Sequence, residues 1–207
     1  MSILALRHSF YREVERSLFR LRVAQLRRRQ VGIEYDTDLQ LIGLPRLQLE
    51  TNTKLIIGAR CIFRSKAGSN PIGVDQPVTF CTLLSKAKIV IGNGVGISGG
   101  TICARQLIEI GDGTLIGANS YIFDNDFHAI DPVARAKDDY SVVRSAPVRI
   151  GSNVFIGTRC IILKGVTIGD NAVIGAGSVV SQSVPSGAVA AGNPCKARSL
   201  CRVTNEK

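Results

Sequence analysis

From Ile150 onward an aliphatic residue returns every six positions, at Ile156, Ile162, Ile168, Ile174 and Val180, and glycine follows it at Gly151, Gly157, Gly169 and Gly175. The same phase occurs upstream at Ile110, Ile116 and Ile122, at Ile91 and Ile97, and at Ile57. Four residues after each aliphatic stands a small or β-branched side chain, as at Cys61, Thr114, Ser120, Val154, Cys160, Val166, Ala172 and Ser178. The two positions share a parity, so on a strand they face the same way. A period of six fits neither a 3.6-residue helix nor a long strand; it fits very short strands separated by sharp turns. Turn-forming pairs stand where the turns must fall, at Asn93-Gly94, Asp112-Gly113, Ser152-Asn153 and Asp170-Asn171. Three hexads make a coil of about 18 residues, and stacked coils pair as parallel strands about 4.8 Å apart, with the Ile/Val/Leu columns as the core.

The pattern divides the chain into three parts. Residues 1–30 carry Leu4, Phe10, Val14, Leu18, Leu21 and Leu26 at roughly helical spacing with arginines between them, which predicts a short amphipathic helix. Residues 31–185 hold the repeat, with an expected seven or so coils. The chain leaves the repeat through Pro185 and Pro194, and residues 186–207 are expected as a basic tail. Two segments break the register: a Gly/Pro-rich stretch at 65–77, and a polar excursion at 124–147 after which the repeat resumes. An excursion from a rigid scaffold is where function is commonly displayed.

Composition supports a repeat core: of 207 residues 45% are hydrophobic, 21 are Gly, 5% are aromatic and none is Trp. No apolar run reaches the ~18 to 20 residues of a membrane-spanning helix, and the first residues lack the charge order of a signal peptide, so a cytoplasmic location is expected. Six cysteines, Cys61, Cys81, Cys103, Cys160, Cys195 and Cys201, form no CxxC pair, and free thiols are expected. The net charge of +10 is concentrated in residues 1–30, which hold eight arginines against two glutamates. That charge suits either a nucleic-acid or a membrane surface. The few aromatics, mostly in apolar phase, argue against base stacking, so a nucleic-acid partner is not expected. A helix covering the open end of the repeat, or touching an anionic inner membrane face, accounts for the arginines better.

The stretches IEIGDGTLIGANSYIFDNDFHAIDP and PVRIGSNVFIGTRCIILKGVTIGDNAVIGAGSVV, followed by AAGNP, resemble the hexapeptide-repeat acyltransferases, and most closely their acetyl-CoA-dependent sugar O-acetyltransferase branch. The resemblance spans about residues 85 to 198. It implies an all-β fold, a left-handed parallel β-helix of hexapeptide repeats; the handedness follows from the resemblance alone, since parallel crossovers are otherwise almost always right-handed. It also implies a homotrimer with each site between two neighbours.

Transfer of an acetyl group to a hydroxyl needs a base to take the hydroxyl proton during attack, and histidine suits that task. The chain has two histidines, His8 and His128, and His128 lies in the excursion within NDFH, which matches the family motif. His128 is the expected general base. Asp126, Asp131 or a backbone carbonyl would orient its ring. A backbone N–H near the coil turns is the default oxyanion donor. For the donor, acetyl-CoA, the resemblance implies contact by Gly157, Thr158, Gly175, Ala176 and Ser181, with Lys196 and Arg198 near the phosphates. Gln182 stands where many relatives have Lys. Phe155 stands where many have Trp, and core packing is expected of it. Cys61 and Cys160, in the small-residue phase, are expected to pack in the core. Ser98, Gly99 and Asn125 are candidates for the acceptor pocket. No metal site is expected: a β-helix carbonic anhydrase would need three histidine ligands.

The expected function is O-acetylation of a sugar hydroxyl in a surface polysaccharide, its lipid-linked precursor or a related glycan. The alternatives are another hydroxyl or amine acceptor, such as serine or an antibiotic, and a non-enzymatic β-helix subunit held at a membrane by its basic end.

Overall fold

The computed structural model describes residues 3–200, with side chains described from Phe10 to Arg198. The side chain of Leu4 and residue Cys201 lie outside the described residues. Short strands wind into a triangular parallel prism with three faces. The first face stacks six strands from Gly32–Tyr35 to Thr167–Ile168, and the third stacks six from Arg46–Gln48 to Val179–Val180. The second stacks seven parallel strands from Gln40–Ile42 to Ala188–Ala191 and ends on an antiparallel strand, Lys196–Leu200. Residues 186–200, expected as a tail, therefore extend the prism and close its end: Val189 and Ala190 pair with Val173 and Ile174.

The register lines the repeat into columns. On the first face Ile57, Ile91, Ile110, Ile150 and Ile168 stack directly. Phe63, Ile97, Ile116, Ile156, Ile174 and Ala190 do so on the second, and Phe80, Ile102, Ile122, Ile162 and Val180 on the third. Ile150, Ile156, Ile162, Ile168, Ile174 and Val180 are all buried, as the period requires. Cys61 and Cys160 are buried in the same core. Phe155 is a correction: as the neighbour of inward Ile156 it has the opposite parity, and half of it is exposed on the outer surface.

Why glycine follows the aliphatic is visible at the corner between the first and second faces. Asp112 accepts the Asn93 backbone N–H at 2.7 Å, Asp170 accepts that of Ser152 at 2.7 Å, and Asn93 accepts that of Ala59 at 2.9 Å. Each coil thus ties down the corner below it, and the Asn93 N–H groups hold the Asp112 carboxyl below the ordinary carboxylate range. A Cβ on Gly92 would lie 2.7 Å from the Asp112 nitrogen, and one on Gly151 2.7 Å from that of Asp170. No other residue fits these corners without parting the coils.

Helix α1 (Ile3–Arg28) is long rather than short, and covers the open first coil. It does so with Phe19, Val23 and Leu26, and the Phe19 ring meets that of Tyr35 edge-on at 5.2 Å. Its polar side chains complete the exposed edge: Arg27 donates to the Ile33 carbonyl, Arg22 to that of Leu47, and Glu15 accepts from the Gly43 N–H. Of the apolar stripe read from the sequence, Phe10, Val14, Leu18 and Leu21 are exposed and, among the described side chains, Leu26 alone packs inward. The helix carries two apolar stripes, and the prism takes the other one.

Replacing Gly151 by Ala should destabilise the protein by about 1–3 kcal/mol through overpacking at the corner. In a chain of this size that lowers the thermal midpoint by roughly 3–10 °C. An unchanged midpoint in differential scanning calorimetry would remove the close corner approach as the reason for the glycine.

Candidate active site

The excursion 124–147 leaves the corner between the third and first faces and returns to it. Its root is Asp124, fully buried, whose carboxylate accepts the backbone N–H groups of Arg105, Gln106 and Leu107 at 2.6, 2.7 and 2.8 Å. The two limbs are laced together by Asp126 N–H to Arg144 O and Ala146 N–H to Asp124 O. Asn125 pairs with Ser145 in an antiparallel bridge. The side chain of Asn125 is buried and spent locally: Oδ1 accepts from the Phe127 N–H at 2.8 Å and Nδ2 donates to Asp124. It thereby supports the left-handed turn at Phe127, φ 59°. Its expected contact with acceptor is thus corrected to a structural role.

His128 follows that turn and is exposed. Its N–H donates to the Asp126 carbonyl at 2.6 Å, and its ring lies 6.1 Å from that of Tyr140. Tyr140 is held in turn through Arg105, which donates to its carbonyl at 2.6 Å. The two carboxylates expected to orient the imidazole are engaged elsewhere. Asp131 caps helix α2 (Pro132–Ala136) by accepting from the Ala134 N–H at 2.8 Å. Asp126 pairs with Lys164 on the next coil, and its second oxygen is buried without a partner. Among the described residues neither carboxylate hydrogen-bonds the imidazole; Asp126 acts on His128 through its backbone.

The other expected residues fall on a different corner, between the second and third faces. Gly157 lies against Ala176 and Gly175 against Ala191, and Ala191 pairs with Lys196. Gly157, Thr158, Gly175, Ala176 and Lys196 therefore form one column that runs to the end strand, where Lys196 and Arg198 are exposed. Gly157 is buried under the backbone of Ala176, whereas Gly175 is partly exposed and Ala176 is exposed. Thr158 is anchored by its hydroxyl, which donates to the Ala118 carbonyl at 2.7 Å. Ser98 and Gly99 head the same corner, but both are covered: Ser98 accepts from the Asn70 amide at 3.1 Å, and Gly99 lies under the Gln76 carbonyl. Loop 65–77 presents its own side chains there instead. Ser181 does not join the donor column; it follows Val180 on the His128 corner, one strand along from Lys164.

Sequence reasoning missed Asp124, Lys164 and the loop 65–77 side chains. Lys164 had a signal: Ile162 stacks on Ile122, so two residues later the lysine must stand beside the root of the excursion.

The family model described as "Hexapeptide repeat of succinyl-transferase" matches residues 108–122 and 147–182. The chain is 41% identical over 96 residues to the galactoside O-acetyltransferase of Escherichia coli (strain K12), covering 46% of this chain and 45% of that protein. It is 39% identical over 159 residues to a probable acetyltransferase of Mycobacterium tuberculosis, covering 76% of this chain and 46% of that one. The chain thus spans under half the length of these curated relatives. Among solved structures it resembles a maltose O-acetyltransferase from Clostridium difficile 630, at 25% identity and a TM-score of 0.50, covering 97% of this chain and 90% of that one. The chain shares the hexapeptide repeat of that family model over those two stretches, and its parallel prism, a left-handed β-helix, is similar to the fold of these acetyltransferases.

Replacing Asp124 by Asn turns an amide N–H toward at least one of the three backbone N–H groups that the two carboxylate oxygens accept. The loss should be about 1.5–3 kcal/mol, with faster proteolysis within 127–144. Wild-type cleavage rates and midpoint would show that Asp124 does not hold the excursion.

Proposed function

We propose that the protein is an acetyl-CoA-dependent O-acetyltransferase acting on a sugar hydroxyl of a surface polysaccharide or its precursor, and that it works as a homotrimer. The observation that carries this reading is the division of the site between two corners. His128 stands on one edge of the third face, and the Gly157–Gly175–Lys196 column stands on the other. A closed three-fold ring brings the His128 arm of one subunit against the column of the next. The arm bears exposed Phe127, Ile130, Val133, Tyr140 and Val142, and the second face bears exposed Leu115 and Phe155, apolar surface of the kind such a contact would cover.

In this arrangement the pantetheine arm of acetyl-CoA lies along the outer edge of the column, over Thr158, Gly175 and Ala176, and Lys196 and Arg198 offer charge to its phosphates. His128 takes the proton from the acceptor hydroxyl as that oxygen bonds to the thioester carbonyl carbon. The carbonyl then re-forms, the carbon–sulfur bond breaks, and the imidazolium returns the proton to the departing thiolate. The products are the acetyl ester and CoA. Acetyltransferase names among the relatives support the reaction, and the galactoside and maltose enzymes support a sugar acceptor.

The outward stripe of α1 supports a second element. Phe10, Val14, Leu18 and Leu21 are exposed on a helix with many arginines, which suits an anionic membrane surface bearing a lipid-linked acceptor.

Two outcomes are expected. Thiol release from acetyl-CoA with a glycan panel should fall about 10²- to 10⁴-fold in His128→Ala with CoA affinity retained. Trimers mixed from His128→Ala and Gly175→Arg subunits should recover activity, because about a quarter of their sites are intact if each site is shared. No recovery, or more than about a third of turnover left in His128→Ala, would refute the assignment. Separately, the protein should float with phosphatidylglycerol vesicles but not with neutral ones, and Phe10→Ser with Leu21→Ser should abolish flotation. Loss of the trimer in that double variant would instead assign the stripe to subunit contacts.

A further inference from the structure

Loop 65–77 is held down at several points that a flexible connector would not need. The Asp75 N–H donates to the Asn119 side chain at 2.9 Å, the Asn119 amide donates to the Gly73 carbonyl at 3.3 Å, and Asp75 pairs with Arg159 at 2.9 Å. Between this loop and the third face opens a cavity of about 360 Å³, lined by Asp75, Gln76, Asn119, Tyr121, Arg159 and Ile161. That is near the lower end of the range for small-molecule sites, with room for a single sugar ring. Its floor is the outer side of Tyr121 and Ile161, which are register partners on neighbouring strands.

One polar atom in this wall lacks what chemistry requires. The Gln76 side-chain nitrogen is buried and has no hydrogen-bond partner. An amide N–H without an acceptor costs about 1–3 kcal/mol, and a turn of the Gln76 side chain, which is only partly buried and lines the cavity, would present it to an oxygen held there. The charges indicate what kind of oxygen. Asp75 and Arg159 neutralise each other, which leaves no net field to select an anion, while their remaining oxygen and N–H groups can bridge neighbouring hydroxyls. The exposed Tyr121 ring offers an apolar platform of the sort the C–H face of a pyranose covers.

We propose that this cavity is the acceptor subsite, binding one neutral pyranose unit with Gln76 donating to a ring substituent and Tyr121 beneath the sugar. The assignment rests on the transferase reading above and adds to it. Arg159 directly follows Thr158, so a sugar seated here lies beside the donor column and at the edge where the neighbouring subunit's arm would bring its base. Loop 65–77 thereby acquires a purpose: it sets which sugar fits.

The test uses the full chain and direct binding as well as turnover. Saturation-transfer NMR with methyl β-galactopyranoside and with maltose should show binding to the wild type, and inorganic phosphate should not compete. Gln76→Leu, Gln76→Glu and Tyr121→Ala should each weaken sugar binding about tenfold or more with CoA affinity and thermal midpoint retained. In the transfer assay these variants should raise the acceptor KM and leave the KM for acetyl-CoA unchanged. Unaltered sugar binding in all three variants, loss of CoA affinity, or displacement by phosphate would overturn the subsite. Sugar binding that depends on Gln76 and Tyr121 without any acetyl transfer by the wild type would overturn the transferase reading while leaving the subsite in place.

Discussion

The distance between one coil and the next is the constraint from which the rest of this molecule follows. At the corner between the first and second faces the chain turns so close to its neighbour above that backbone meets backbone, and a single methyl group at Gly92 or Gly151 would collide with the nitrogen of the aspartate that ties the corner down. The same closeness allows that aspartate to accept the N–H of the residue after the glycine, so the steric demand and the hydrogen bond come as a pair. Stacked in this way, the inward columns of isoleucine and valine lose their freedom to slip, because a slip of one residue would turn every one of them outward.

A scaffold so rigid makes position along a corner equivalent to position in space. Every residue two after a column isoleucine on the third face emerges at the same edge, which is how Asp124 and Lys164 come together although forty residues separate them. It also lets one chain carry a glycine-bearing column at one corner and a projecting arm with His128 at another, since a bare edge and a projecting arm cannot share a corner. The arm itself is stiffened by groups that carry no chemistry: the Asp124 carboxylate under its root, the Asn125 turn, and the Asp131 cap.

Much of this was legible in the residues, and what was not has identifiable causes. The period of six names the core columns because a repeat leaves inward and outward positions no choice, and the interruption at 124–147 announces the arm. The size of Phe155 points to the core, but its parity beside Ile156 places it on the outer surface, and the period prevails. On α1 the choice between Phe19–Val23–Leu26 and Phe10–Val14–Leu18–Leu21 could not be made from spacing, since both stripes have helical period and only the shape of the open coil selects one. Asp131 and Asn125 looked chemical because acids and amides near a histidine do. Their neighbours' backbone N–H groups, invisible in sequence, claim them first. Loop 65–77 showed only as a Gly/Pro-rich break, because its meaning depends on Asn119 and Arg159, which reach it from far along the chain.

The arm has one more property, which concerns change over time. Adjacent strands of the first face are usually about a coil apart in sequence, as Ile150 and Ile168 are, but Ile110 and Ile150 pair across the arm at more than twice that separation. Closing a loop twice as long costs only about 0.6 kcal/mol, because the entropy of bringing its ends together grows with the logarithm of its length. The coils on either side meet through the same Asp112, Asn153 and glycine contacts whatever the arm contains. The prism is therefore a frame in which the stretch of this segment beyond its Asp124 root can change in length at little cost to the stacking of the coils, so variation there leaves the columns beneath it fixed.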